Sequence, residues 1–177
     1  MSKLWLQSWR HANSGFDKRI HCYNDYHKTL IWIALNYLPK DVYEKMKNNI
    51  AIYSTSYTDG CRVAKKIREN REIILLSDHI MPKEGSSTGQ PEVRYLIFVI
   101  LHEIAHAYKN HLPSNEIIEK KNSEQEIEAN NLALDWFNSF EEKNNRKKSR
   151  PLTMEEINIA QDKNKKITKE TYKQKKK

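Results

Sequence analysis

Arg94-Tyr-Leu-Ile-Phe-Val-Ile-Leu-His-Glu-Ile-Ala-His-Ala-Tyr-Lys-Asn-His111 reads as an apolar helix carrying His102-Glu103-x-x-His106, and the rest of the chain can be placed around it. A four-residue step is a little over one helical turn, so His102 and His106 leave the same face with Cβ atoms about 6 Å apart. That spacing suits two nitrogen ligands on one zinc ion. Glu103 lies about 100° round the helix from His102, which sets its carboxylate beside such a metal rather than on it, within reach of a proton on activated water. Residues 95–101 are apolar without a break and Ile104 and Ala105 continue the run; a helix apolar all round is a buried one. Those seven residues fall far short of the roughly 20 that span a bilayer. Pro91 suits the first turn, Glu92 the positive helix end, and Pro113 stops the far end.

A third ligand is offered downstream. Residues 122–137, Asn-Ser-Glu-Gln-Glu-Ile-Glu-Ala-Asn-Asn-Leu-Ala-Leu-Asp-Trp-Phe, combine a serine cap at Ser123, early glutamates and apolar Ile127, Leu132, Leu134, Trp136 and Phe137, so a second helix is expected. Glu124, Glu126 and Glu128 all compete to bring a carboxylate to the histidines. The pattern resembles the gluzincin metallopeptidases, in which His-Glu-x-x-His on one helix is completed by a glutamate on a following helix. More narrowly, Glu126-x-Glu128-Ala129-Asn130-x-Leu132-Ala133 is similar to the Glu-x-x-Ala-Asn-x-Phe-Ala pattern of the small ImmA/IrrE metallopeptidases, and the size is similar to the minigluzincins. The resemblance implies Glu126 as third ligand, with nineteen residues between it and His106, and Asn130 beside a histidine. Leu132 stands where that family usually has phenylalanine, and the Phe-Thr-x-x-His-Glu lead-in is absent. A metzincin would need glycine at 109 and histidine at 112, where Lys109 and Leu112 stand. His111 is read as a solvated cation at the helix end.

The 177 residues suit one domain with a decorated end. The net charge of +8 is unevenly placed: residues 1–142 hold 18 Lys+Arg against 19 Asp+Glu, and residues 143–177 hold 13 against 4. The division expected is a zincin-like metallopeptidase domain over 1–142 and a basic, flexible extension over 143–177, with a short helix starting at the capping box Thr153-Met-Glu-Glu and lysine-rich disorder from 163 onward. Cys22 and Cys61 lack paired or metal-finger spacing, and no apolar signal stretch follows Met1, so a reducing, cytoplasmic setting is expected, with no membrane association.

Before the metal helix, Trp5 and Trp9 belong to a segment that docks on the body. Residues 24–38 carry apolar positions at helical spacing and end at Pro39, and 41–47 form a second short helix. Three strands follow, at 49–57, 61–67 and 72–77, with a turn signal at Asp59-Gly60; for the middle piece, residues 63–69 also read as a helical turn. The fold class expected is therefore α+β and zincin-like: N-terminal helices, a small, mainly antiparallel sheet, the His-Glu-x-x-His helix and the glutamate helix. By resemblance to zincin proteases, the strand at 73–77 would bind extended peptide along its unpaired edge; the alternative is that it is simply a strand of the sheet interior. Residues 78–90 read as a mobile polar loop rimming the cleft. His11, His21 and His27 have no recognisable metal partner.

The function expected is zinc-dependent hydrolysis of an intracellular protein or peptide, with Zn2+ on His102, His106 and Glu126 and Glu103 as general base. By resemblance a repressor is a plausible substrate. Tyr53, Tyr57, His79 and Tyr108 are all open as donors to the developing oxyanion. The competing class is a nucleic-acid-associated regulatory protein with a structural zinc site, whose basic tail makes weak nonspecific contacts with nucleic acid. A third arrangement folds the tail over the cleft as an inhibitory segment.

Overall fold

The computed structural model describes residues 17–55, 60–68, 71–112, 119–144 and 150–175. The expectations for Trp5, Trp9, His11, Tyr57 and Pro113 lie outside these residues. The elements in chain order are β1 (Ile20–His21), α1 (Asp25–Leu35), α2 (Lys40–Met46), β2 (Ile50–Thr55), β3 (Gly60–Arg68), β4 (Arg71–Ser77), α3 (Pro91–Lys109), α4 (Glu119–Lys143) and α5 (Met154–Lys175).

The α+β class is as expected, but the sheet is not mainly antiparallel. Its strand order is β1-β2-β4-β3. β1 runs parallel to β2 and β2 parallel to β4, and only the β3–β4 pairing is antiparallel. Parallel neighbours need a crossover, which α1 and α2 supply between β1 and β2. β2 and β3, consecutive in the chain, are not neighbours: β3 lies on the far side of β4, which fills the place beside β2. As a result β4 is an interior strand. The expectation that residues 73–77 offer a free edge is overturned, and the outer edge on that side belongs to β3.

Side-chain alternation explains why the sheet covers the helices with one face. Ile50, Ile52, Ile74 and Leu76 have no exposed surface, while Tyr53, Ile73 and Leu75, on the opposite face, are only partly covered. The buried face joins α1 and α3 in a single core. α3 is buried on nearly every side from Val93 to Ala107, as its unbroken apolar run implies. Its Pro91 occupies the first turn, and its far end closes at Asn110, whose left-handed φ of 55° suits a short polar side chain at that position.

α4 starts before Ser123, which is therefore interior and not the cap. The buried stripe is Gln125, Ala129, Ala133, Trp136, Phe137 and Glu141, spaced i, i+4, i+8, i+11, i+12, i+16. Ile127 was expected inside and is 57% exposed. The alanines matter because the distance between two packed helices is set by the side chains at their contact; two buried methyl groups let α4 lie close against α3. Side-chain amides fasten both ends of α4. Gln125 donates to the carbonyl of Leu112 and accepts from its N–H (3.0 and 3.1 Å), and Asn138 does the same with Leu152 (3.1 and 2.8 Å).

Two segments expected to be loose are fastened. Between β4 and α3, the Ser86 carbonyl accepts from Tyr26 Oη at 2.6 Å, the Pro82 carbonyl lies 2.8 Å from His27 Nε2, and Glu84 accepts from Asn24 Nδ2 at 2.7 Å. The polar residues of this loop thus dock on the start of α1. At the C-terminus, α5 is 22 residues long, neither short nor disordered from residue 163. Leu152 and Ile157 enter the core. Arg94 of α3, 4% exposed, donates to Glu156 at 2.8 Å and to the Arg150 carbonyl at 2.9 Å, and its guanidinium lies 5.0 Å from the centre of the Phe137 ring. The sequence gives no hint of this pair, since a lone arginine opening an apolar helix reads as a solvated end.

Removing one partner of a buried ion pair costs about 3–5 kcal/mol, largely by leaving the other unpaired. Arg94→Ala is accordingly expected to lower the urea unfolding free energy by about 3 kcal/mol, whereas Lys165→Ala on the exposed part of α5 should change it by less than about 0.5 kcal/mol.

Candidate metal centre

His102 and His106 project from the same face of α3, and α4 brings Glu126 opposite them. His102 Nε2 and His106 Nε2 are 3.0 Å apart. Glu126 Oε2 is 3.4 Å from His102 Nε2, and its Oε1 is 3.5 Å from His106 Nε2. Of all the His, Cys, Asp and Glu side chains among the described residues, these three form the group able to hold a metal ion. Zinc–ligand bonds of about 2.0–2.1 Å at tetrahedral angles separate neighbouring donor atoms by about 3.3 Å. The observed triangle matches that spacing, and its chemistry of two imidazoles and one carboxylate is a zinc donor set. The residues present therefore fit the ion, although the same spacing does not select zinc over other divalent metals that accept nitrogen and oxygen.

The three competing glutamates separate cleanly. Glu126 faces the histidines, Glu124 is exposed, and Glu128 pairs with Lys109 at 2.5 Å and His111 at 3.0 Å. The two imidazoles, His102 first and His106 second, hold the Glu126 carboxyl well below the usual carboxylate range, against the opposing effect of partial burial. Burial pushes His106 below the usual imidazole range; Glu126 opposes this, while His102 and His111 add to it. Both groups are thus biased toward the deprotonated forms that bind metal. Glu103 is buried at the position after His102. His102 packs against Phe98, one turn earlier on α3, with ring centres 5.9 Å apart; its Nδ1 is buried and has no hydrogen-bond partner among the described residues.

His111 is not a solvated helix-end cation. It is 7% exposed, with Nδ1 2.9 Å from His106 Nδ1 and Nε2 3.0 Å from Glu128 Oε2. His111 thus flanks His106 on the side of its Nδ1. Its sequence signal was Asn110: asparagine after a helix favours the left-handed turn that sends the following residue back over the last turn. Gln125, which sets the position of the first turns of α4, carried no comparable signal.

Three of the residues left open as oxyanion donors, Tyr53, Tyr108 and His79, make contacts of other kinds. His21 stacks on Tyr53 with ring centres 4.2 Å apart. Tyr108 lies edge-on to Trp136 and beneath Lys45. The backbone N–H of His79 is capped by Ser77 Oγ in a short turn after β4. None of these contacts marks an oxyanion donor.

No protein-family model, curated protein or solved structure matches the chain. Among the described residues, no helix is long and apolar enough to cross a membrane.

The two shifted groups have the same consequence for stability. Each binds its proton less readily in the folded chain than in the unfolded chain, so folding is favoured above the unfolded pKa and that contribution is lost as pH falls. The loss starts below about 6.5 for His106 and below about 4.5 for Glu126. The urea midpoint of metal-free protein is expected to fall steadily from about pH 7 to about pH 4, and Glu126→Gln should flatten the part below about pH 4.5. An acid limb that is identical in the two proteins would contradict the assigned interactions of Glu126.

Proposed function

We propose that the chain is a zinc-dependent peptidase of the small gluzincin kind, similar to the ImmA/IrrE and minigluzincin groups and with a zincin-like fold. The observation that supports this most is the triangle of two imidazoles and one carboxylate with edges of 3.0–3.5 Å, next to a buried glutamate on the same helix. A structural zinc site has four protein ligands; the three found among the described residues leave a coordination position for solvent or substrate. That difference favours a catalytic centre over the alternative of a structural zinc in a nucleic-acid-associated protein.

Bound zinc would act there as a Lewis acid, lowering the pKa of water to about 7 and polarising the scissile carbonyl. Glu103 accepts the proton of the attacking water and returns it to the leaving amine. His102, His106 and Glu126 hold their donor atoms in place throughout, so little reorganisation accompanies the change in charge. An extended substrate would pair with the outer edge of β3, the strand beside α3, in place of the β4 edge that the sheet itself occupies. Backbone pairing of this kind accepts many sequences, and a protein or peptide substrate, a repressor included, is the class proposed.

The cytoplasm is the compartment proposed, from the scarcity and spacing of cysteine in the sequence. The lysines of the C-terminal region would add weak, salt-sensitive contact with nucleic acid. An inhibitory tail is less favoured, because the observed attachment of α5 is at Arg94, two turns before His102.

Glu103→Gln is expected to retain zinc and lose peptide hydrolysis by at least about 100-fold, whereas His106→Ala loses both. Glu126→Ala should lower zinc occupancy more than Glu124→Ala. Metal analysis alongside digestion of a peptide library checks these outcomes; hydrolysis by Glu103→Gln at the parent rate would remove the assigned base.

A further inference from the structure

The end of α3 is built to return the chain onto His106. Asn110 is left-handed (φ 55°, ψ 41°) and donates its N–H to the Ala107 carbonyl, while the His111 N–H reaches the His106 carbonyl at 3.0 Å. This pair of bonds is the Schellman arrangement. It brings the His111 imidazole edge-on to that of His106, with ring centres 4.9 Å apart and Nδ1 atoms 2.9 Å apart. On its other side, His111 Nε2 lies 3.0 Å from Glu128 Oε2. Glu128 is held in turn by Lys109.

Proton placement along this chain follows from donor and acceptor counting. A carboxylate only accepts, so the nitrogen of His111 that faces Glu128 must carry hydrogen. In a neutral His111, Nδ1 is then a lone pair. The proton between the two Nδ1 atoms therefore belongs to His106, which leaves its Nε2 as a lone pair; His102 Nε2, 3.0 Å away, then carries the hydrogen between the two Nε2 atoms and also lies 3.4 Å from Glu126 Oε2. The opposite placement would set the Nε2 lone pair of His111 against the Glu128 carboxylate at 3.0 Å.

We infer that His111 is a positioning residue which, together with Glu128, fixes His106 in its Nδ1–H tautomer and aims its Nε2 lone pair at the metal position. The inference rests on the metal-centre reading for its consequence but not for its proton placement. A metal-ligating histidine usually donates its second N–H directly to a carboxylate or carbonyl; here a second imidazole is interposed, and the carboxylate acts at one remove. The arrangement couples the closure of α3 to α4, since Glu128 sits two residues beyond Glu126.

The test uses the full chain and two readouts. Long-range proton–nitrogen NMR of the imidazoles in metal-free protein at about pH 8, above the ordinary imidazole range, should show His106 protonated at Nδ1 and His111 at Nε2. Zinc dissociation constants should rise about 10- to 100-fold in His111→Phe, which keeps a ring but offers no nitrogen. His111→Gln, whose amide oxygen can still accept from His106 Nδ1, should recover most of that loss. Glu128→Gln should leave zinc bound more weakly and the His106 tautomer mixed. A parent protein with His106 protonated at Nε2, or a folded His111→Phe that binds zinc as tightly as the parent, would overturn the inference. If His111→Phe does not fold, the parent tautomer and the glutamine variant decide it. A parent with His106 protonated at Nδ1 that takes up no zinc would support the proton placement and overturn the metal reading instead.

Discussion

Everything that bears on chemistry in this molecule depends on two helices lying close enough for a carboxylate on one to reach two imidazoles on the other. A glutamate side chain is only a few bonds long, so the approach of α4 to α3 sets whether Glu126 meets His102 and His106. Ala129 and Ala133, fully buried between the helices, permit that approach because they add little thickness to the contact. Gln125 then fixes the register through its two hydrogen bonds to the Leu112 peptide. The centre is thus a product of backbone placement first and ligand chemistry second.

The remaining architecture keeps α3 from moving. The helix is enclosed by the one-sided sheet, α1, α4 and α5, and close packing of this kind allows few alternative side-chain arrangements. Arg94 extends the constraint to the C-terminal region: its guanidinium stacks on Phe137 of α4 and pairs with Glu156 of α5. The basic C-terminal segment therefore contributes to the platform beneath the histidines, at least through Ile157. A site held on rigid helices rather than on loops keeps its donor atoms in position for a metal.

The pair of helices and the two histidines were legible because a single periodicity carries them: an apolar run, a four-residue repeat and a following amphipathic segment. Selection of Glu126 from three glutamates came from family resemblance, and periodicity alone left it open. The sheet was misread because strand existence is local while pairing is not. Residues 59 and 60 announce a turn, yet the turn does not say which strand lies next to β2, and β4 takes that position. His111 was misread for a related reason. As a residue just beyond a helix it has the ordinary features of a solvated cation, and only the left-handed Asn110 turns it inward. Gln125 and Arg94 were invisible because their partners are backbone groups or a side chain far along the chain.

The central claim is that His102, His106 and Glu126 converge on one divalent cation. X-ray absorption at the zinc edge, on full-length protein loaded with one equivalent of zinc, reads that coordination shell directly. A four-coordinate shell of nitrogen and oxygen at about 2.0–2.1 Å, with the outer-shell scattering of two imidazoles, is expected. Sulfur scattering at about 2.3 Å, or a shell without imidazole scattering, would contradict it.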